Sequence, residues 1–251
     1  RTTATEWHPQ WRLPVRVSEP GRTTVNTYDA SGNLLSEQVT DVATGQVRTR
    51  SWTYNARGQV ETMTLPGGGV WTYGYDAAGN TVSLRDPLQR QTTFTQDAGG
   101  RVLTRTEPGG LVSSYTYDAR GRLLTATVGG ETTTYAYTAT GQLQSTTLPN
   151  GHQVTYTYDQ ADRLIAAQDN RGASLSYTLD ASGNRTREEL RDASGAIAAV
   201  TNRSIDALGR LLSTSNSIGQ TTRYAHDANG VPVSETDPLN QTTRQTLDAL
   251  G

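Results

Sequence analysis

The side chains able to act as acids, bases or metal ligands are spread along this chain in a way that argues against a catalytic cluster. The three histidines, His8, His152 and His226, stand far apart with no HExxH-like spacing, so a zinc-hydrolase reading has no starting point. Aspartates are frequent, but they fall once per turn at long intervals, whereas calcium loops need oxygen ligands in dense alternation. Serines occur without a GxSxG elbow, and carboxylates in near-identical surroundings define no glycosidase pair. GxGxxG and P-loop patterns are missing as well. Asn184, Asn202 and Asn240 head Asn-X-Ser/Thr triplets, a match too common to carry weight. The sequence therefore predicts no catalytic, cofactor-binding or metal site, and a protein that is not an enzyme.

The elements that carry these residues form an internal repeat. An aromatic residue, Asp, two variable residues, Gly and a polar residue recur as Tyr28-Asp29 to Gly32-Asn33, Tyr54-Asn55 to Gly58-Gln59, and Tyr75-Asp76 to Gly79-Asn80. Gln96-Asp97 to Gly100-Arg101, Tyr117-Asp118 to Gly121-Arg122, Tyr137-Thr138 to Gly141-Gln142 and Tyr158-Asp159 to Asp162-Arg163 continue it. Leu179-Asp180 to Gly183-Asn184, Ile205-Asp206 to Gly209-Arg210, His226-Asp227 to Gly230-Val231 and Leu247-Asp248 to Gly251 complete eleven copies. Successive Asp positions are 26, 21, 21, 21, 20, 21, 21, 26, 21 and 21 residues apart. A period near 21 accommodates two strands of five or six residues and two short turns.

One period shows the local logic. Arg122–Thr127 has the composition of a strand, Val128–Glu131 of a turn and Thr132–Tyr137 of the returning strand. The following turn begins in most copies with Asp, whose carboxylate can accept backbone N–H groups, and contains Gly where positive φ is wanted. Asp29, Gly32, Asp76, Gly79, Asp118, Gly121, Asp159, Asp180, Gly183, Asp206 and Gly209 are thus expected turn formers. Aromatics one and three residues before the Asp position share a face by the period of two. They are Trp52 and Tyr54, Tyr73 and Tyr75, Tyr115 and Tyr117, Tyr135 and Tyr137, and Tyr156 and Tyr158. Two aromatic rows are expected to cross the sheet with ring packing on ring, and Leu34, Val60, Val102, Leu123, Leu143, Leu164 and Leu211 should form a third row. The two spacings of 26 place inserts at Asp41–Gly45 and Asp192–Gly195, in the tips opposite the aspartate turns.

Composition agrees. Apolar residues make up 33% and charged residues 18%, both low for a globular domain, while Thr, Gly, Ser, Gln and Asn abound. Disorder is disfavoured by a net charge of only -2 and by regularly placed aromatics. All 22 basic residues are arginine, scattered among 24 acidic ones, which leaves no basic surface for nucleic acid. No apolar run is long enough to span a membrane as a helix, and cysteine is absent. The expected fold is all-β: a single array over residues 1–251, with 1–27 as a leading hairpin segment and repeats from 28 onward, forming a curved single-layer sheet. Its start at Arg1 and its stop within a repeat suggest a fragment of a longer chain, with exposed edges prone to edge-to-edge self-association.

At Tyr117-Asp118-Ala119-Arg120-Gly121-Arg122-Leu123 the sequence resembles the YD repeat of the Rhs family, which includes toxin-complex C components and teneurins. The opening Thr5-Glu6-Trp7-His8-Pro9, Arg12-Leu13-Pro14 and Glu19–Thr24 resemble a segment upstream of such repeats in bacterial members. The resemblance implies hairpins spiralling into a hollow shell that encloses a C-terminal polymorphic toxin in interbacterial competition. Implied partners are that toxin, the remaining shell and secretion-system delivery proteins, and the implied location is secreted or at the cell surface. No segment here resembles the self-cleaving core that ends such shells, so no cleavage activity is carried over. The alternative expectation is a cell-surface adhesion or carbohydrate-binding module, its aromatics stacking on glycans.

Overall fold

The computed structural model describes residues 3–245, so the last copy, Leu247-Asp248 to Gly251, lies outside the described residues. Among them every regular element is a strand, and they divide into two compact units. The first unit contains β1 (Ala4–Trp7), β2 (Pro14–Glu19), β3 (Arg22–Tyr28), β4 (Leu34–Asp41), β5 (Val47–Tyr54) and β6 (Val60–Thr64). It continues with β7 (Val70–Tyr75), β8 (Thr81–Arg85), β9 (Gln91–Gln96), β10 (Val102–Thr106) and β11 (Val112–Tyr117). The division passes through β12 (Leu123–Val128), although the sequence repeat runs on unbroken there. The second unit holds β13 (Glu131–Tyr137), β14 (Leu143–Thr147), β15 (Gln153–Tyr158), β16 (Leu164–Asp169), β17 (Ser174–Leu179) and β18 (Arg185–Arg191). It ends with β19 (Ile197–Ile205), β20 (Leu211–Asn216), β21 (Thr221–His226), β22 (Pro232–Thr236) and β23 (Thr242–Arg244).

Within each unit, strands adjacent in sequence pair antiparallel and pack on no other strand, so each unit is a single layer of the kind the repeat predicts. A single layer can bury little. Val200, 7% exposed, is the one buried apolar side chain among the described residues. Stability must come from neighbour-to-neighbour contacts.

The aspartate turns share one chemistry, and several opposite tips, such as Leu65–Gly69 and Leu148–His152, repeat it. At Asp118 the backbone N–H donates to the Arg122 carbonyl, and the Gly121 N–H donates back to the Asp118 carbonyl, both at 2.9 Å. The register slips where a strand enters the aspartate turn, as between Thr53 and Tyr54, which is a three-residue hairpin loop closed by a bulge. The bulge residue needs a left-handed conformation, and Gly121 supplies it at φ 82°. Asp162 takes the same role at φ 61° in the one described aspartate turn that lacks Gly there.

Val42–Gly45 and Asp192–Gly195 lie in the tip turns, as expected, and the added length of each long period goes into the flanking strands. β4 and β5 are each eight residues long and β18 and β19 are seven and nine, against five for β6 and six for β7. The tip hairpin β4–β5 therefore has five register pairs, and β18–β19 also has five, where β6–β7 has three.

Candidate functional site

The recurrent site is the seam between one aspartate hairpin and the next, and it starts from the turn. Asp118 Oδ1 accepts the N–H groups of Arg120 at 2.8 Å and Arg122 at 2.9 Å, and Oδ2 accepts Arg122 Nε at 2.7 Å. The same pattern holds at Asp97 with Arg101, Asp159 with Arg163 and Asp206 with Arg210. At Asp29, Asp76 and Asp180 the partner four residues on is Asn, donating through Nδ2. Where the first residue is Asn55, its Nδ2 donates to Gln59 Oε1, and Thr138 donates its hydroxyl to Gln142 Oε1. The two positions thus exchange donor and acceptor together.

These bonds favour the ionised carboxylate. Asp118 is held below the usual carboxylate range chiefly by the Arg122 backbone N–H, and Asp29 chiefly by the Asn33 side chain. Both oxygens of a turn aspartate are thus engaged in holding its own turn.

The residue four beyond the Asp position also reaches forward onto the next turn. Gln59 Nε2 donates to the Gly79 carbonyl at 2.7 Å, and Arg101, Arg163 and Arg210 donate through Nη1 to the carbonyls of Asp118, Asp180 and Asp227 at 3.3, 3.5 and 3.4 Å. This side chain lies over the turn glycine ahead of it. A Cβ on Gly121 would stand 3.3 Å from Arg101 Nη1, and one on Gly183 3.3 Å from Arg163 Nη1. The glycine is doubly required, for its φ and for this close approach. At the first turn the leading segment takes the place of a preceding repeat, with Trp11 and Leu13 over Gly32 and Trp11 stacked on His8 at 4.4 Å.

Tyrosine ties the seam from the other side. The bulge leaves the carbonyl five residues beyond the Asp position without a place in the short ladder to the next hairpin. The tyrosine just before the next Asp position donates its hydroxyl to it: Tyr54 to Leu34, Tyr75 to Val60, Tyr117 to Val102, Tyr137 to Leu123 and Tyr158 to Leu143, at 2.8–2.9 Å. Tyr28 donates likewise to Pro14 of the leading segment at 2.9 Å. Gln96 stands at a tyrosine position and makes the equivalent bond through Nε2 to the Thr81 carbonyl at 2.6 Å. Leu179 and Ile205 cannot donate, and His226 makes no such bond among the described residues.

All ten expected row residues, Trp52, Tyr54, Tyr73, Tyr75, Tyr115, Tyr117, Tyr135, Tyr137, Tyr156 and Tyr158, are half-buried. The outer residue of each pair faces its own hairpin's returning strand, as Trp52 faces Met63 and Tyr73 faces Leu84. The expected ring-on-ring packing gives way to hydroxyl-on-backbone bonding. Among the described residues ring pairs join His8 to Trp11 and to Tyr28, and arginines lie over Tyr117 and Tyr177, with Arg101 at 5.2 Å and Arg185 at 3.9 Å. Strand spacing fixes the tyrosine hydroxyl near the neighbouring backbone, a demand that face-to-face ring contact would not meet.

The opposite face carries hydroxyls that bond across several of the hairpins: Thr27 to Ser36 at 2.7 Å, Thr53 to Thr62 at 2.7 Å and Thr95 to Thr104 at 2.6 Å. Sequence reasoning missed the hydroxyl acceptors and the forward clasp. The covariation of Asp with Arg or Asn, and of Asn or Thr with Gln, four residues apart was the available signal. Among the described residues no group of three His, Cys, Asp or Glu side chains is placed to hold a metal, and no helix is long and apolar enough to cross a membrane. His152 instead faces Asp169, with Nε2 4.0 Å from a carboxylate oxygen.

This architecture has known counterparts. The family model of the teneurin YD-shell matches residues 22–188, and that of the RHS repeat matches residues 206–242. No curated protein matches the chain. The crystal structure of TcdB2-TccC3 without its hypervariable C-terminal region is similar at a TM-score of 0.77 and 18% identity, over 98% of this chain and 16% of that one. TcdB2-TccC3-TEV is similar at 0.73 and 17%, over 96% and 15%. The Tc holotoxin pore of Photorhabdus luminescens carrying a TccC3 mutation is similar at 0.62 and 16%, over 94% and 17%. The chain thus spans about a sixth of the length of these solved structures, and at such identities the likeness is one of fold. With the YD-shell model matched over more than half of its residues, this chain belongs to the teneurin YD-shell family.

Proposed function

We propose that this chain is a wall segment of an Rhs-type shell that encloses a C-terminal polymorphic toxin and helps deliver it in competition between bacteria. The observation that carries the reading is the repeated seam, in which turn carboxylates fix each turn while clasp residues and tyrosine hydroxyls join one hairpin to the next. A wall needs such joints and little else. The remaining shell, the enclosed toxin and secretion-system delivery proteins are the partners of this reading, which places the protein outside the cell that makes it. A carbohydrate-binding module is the less favoured alternative, because the rings are half-buried and the seam hydroxyls already donate to backbone.

The test is limited proteolysis of a longer chain that includes the downstream sequence. The shell reading expects the downstream domain to resist protease until the wall is denatured. A downstream domain digested at the rate of an isolated one would sink it.

A further inference from the structure

Seams of equal ladder length are not equally joined. The β14–β15 seam has three register pairs, and Tyr158 closes it with a hydroxyl bond to the Leu143 carbonyl at 2.9 Å. The β16–β17 seam also has three pairs, but Leu179 stands at the tyrosine position and its side-chain tie is the 3.5 Å bond from Arg163 to the Asp180 carbonyl. The β20–β21 seam repeats the deficit, with three pairs, His226 in place of tyrosine and a 3.4 Å bond from Arg210.

Between these two seams every ladder is longer than they are. β17–β18 has six register pairs, β18–β19 five and β19–β20 five. An ion network lies wholly inside this stretch: Glu189 accepts from Arg187 at 2.6 Å and from Arg191, Arg203 reaches Glu188 at 3.6 Å, and Arg187 donates to Asn202 at 3.1 Å.

From this contrast we propose that Ser174–Asn216, β17 to β20, is a hatch: a block that separates as one piece from the second unit along the β16–β17 and β20–β21 seams. Opening by blocks follows from local stability being set by the bonds crossing each boundary. Its use for cargo release rests on the shell reading; the opening itself does not.

Amide hydrogen exchange on this chain under native conditions tests it. Amides across β16–β17 and β20–β21 should exchange roughly two- to tenfold faster than those across β14–β15, the range expected for one lost neutral hydrogen bond. Leu179→Tyr should slow β16–β17 to the β14–β15 rate. Should that variant fail to fold, Tyr158→Phe provides the reverse experiment and should raise β14–β15 exchange to the β16–β17 rate. Equal protection of all three seams, exchange within β18–β19 as fast as at the seams, or a Tyr158→Phe variant with unchanged exchange would each overturn the hatch. A downstream domain open to protease from the start would end the shell reading and leave this exchange pattern untouched.

Discussion

The two lengthened connections, β4–β5 in the first unit and β18–β19 in the second, have the same five-pair ladder and different surroundings. At β4–β5 the extra ladder is added to a seam that keeps its hydroxyl tie, from Tyr54 to Leu34. At β18–β19 Ile205 offers no hydroxyl, and the longer ladder with its arginine and glutamate network stands in for the missing bond. The tips differ too. The Val42 N–H donates to the Gly21 carbonyl of the preceding tip at 3.0 Å, whereas the second insert lies so close to Gly172 that a Cβ there would meet the Ala193 carbonyl oxygen at 2.8 Å. Added length serves as reinforcement in one place and as replacement in the other.

The largest expected difference is at those glycines. Gly21→Ala meets nothing within 4 Å and should cost about 1 kcal/mol for its positive φ, while Gly172→Ala should cost about 2 kcal/mol or more, since the insert backbone must also shift. Urea unfolding of both variants checks this, and equal losses would break the comparison. Next, Tyr54→Phe should cost about 0.5–1.5 kcal/mol by removing the tie to Leu34. Ile205→Tyr, which offers a hydroxyl to the matching Arg185 carbonyl, should recover no more than that amount in the same assay.

The smallest effect is electrostatic. Glu189 is held below its ordinary 4.5 chiefly by the Arg187 side chain. Because the folded value is the depressed one, this contribution is complete above 4.5 and is lost as pH falls through the folded value. Unfolding midpoints followed downward from about pH 4.5 should fall less steeply in Glu189→Gln. Added salt should shrink the difference.

Much of this was legible in the sequence. The Asp spacing placed every described aspartate turn, and alternation put Tyr54 and Trp52 on one face, because turn chemistry and pleat are local properties. The destination of the tyrosine hydroxyl was not legible. It depends on a carbonyl one hairpin away that a bulge has displaced from the ladder, and no residue type marks a backbone oxygen. The lengthening of the strands beside the inserts hid for a related reason. Asp41–Gly45 has turn composition, yet the five added residues per period are shared between two strands, a matter of pairing rather than of local preference. That the residue four beyond the Asp position faces both ways was visible only in part: its tie to its own Asp lies within one turn, while its reach to the next needs strand spacing.

That residue has a consequence for ancestry. A bond between Asp and its partner four positions on is complete inside a single copy, and what each copy presents to its neighbours is a backbone carbonyl, a glycine and a hydroxyl, amide or guanidinium that bonds to backbone. A copy is therefore a cassette whose inner pairing can drift from Asp with Arg to Asn with Gln without its neighbours changing in step. Duplication, loss or exchange of whole copies leaves compatible joints on both sides, so such a wall can change length by recombination more readily than it can tolerate a misplaced residue within one copy.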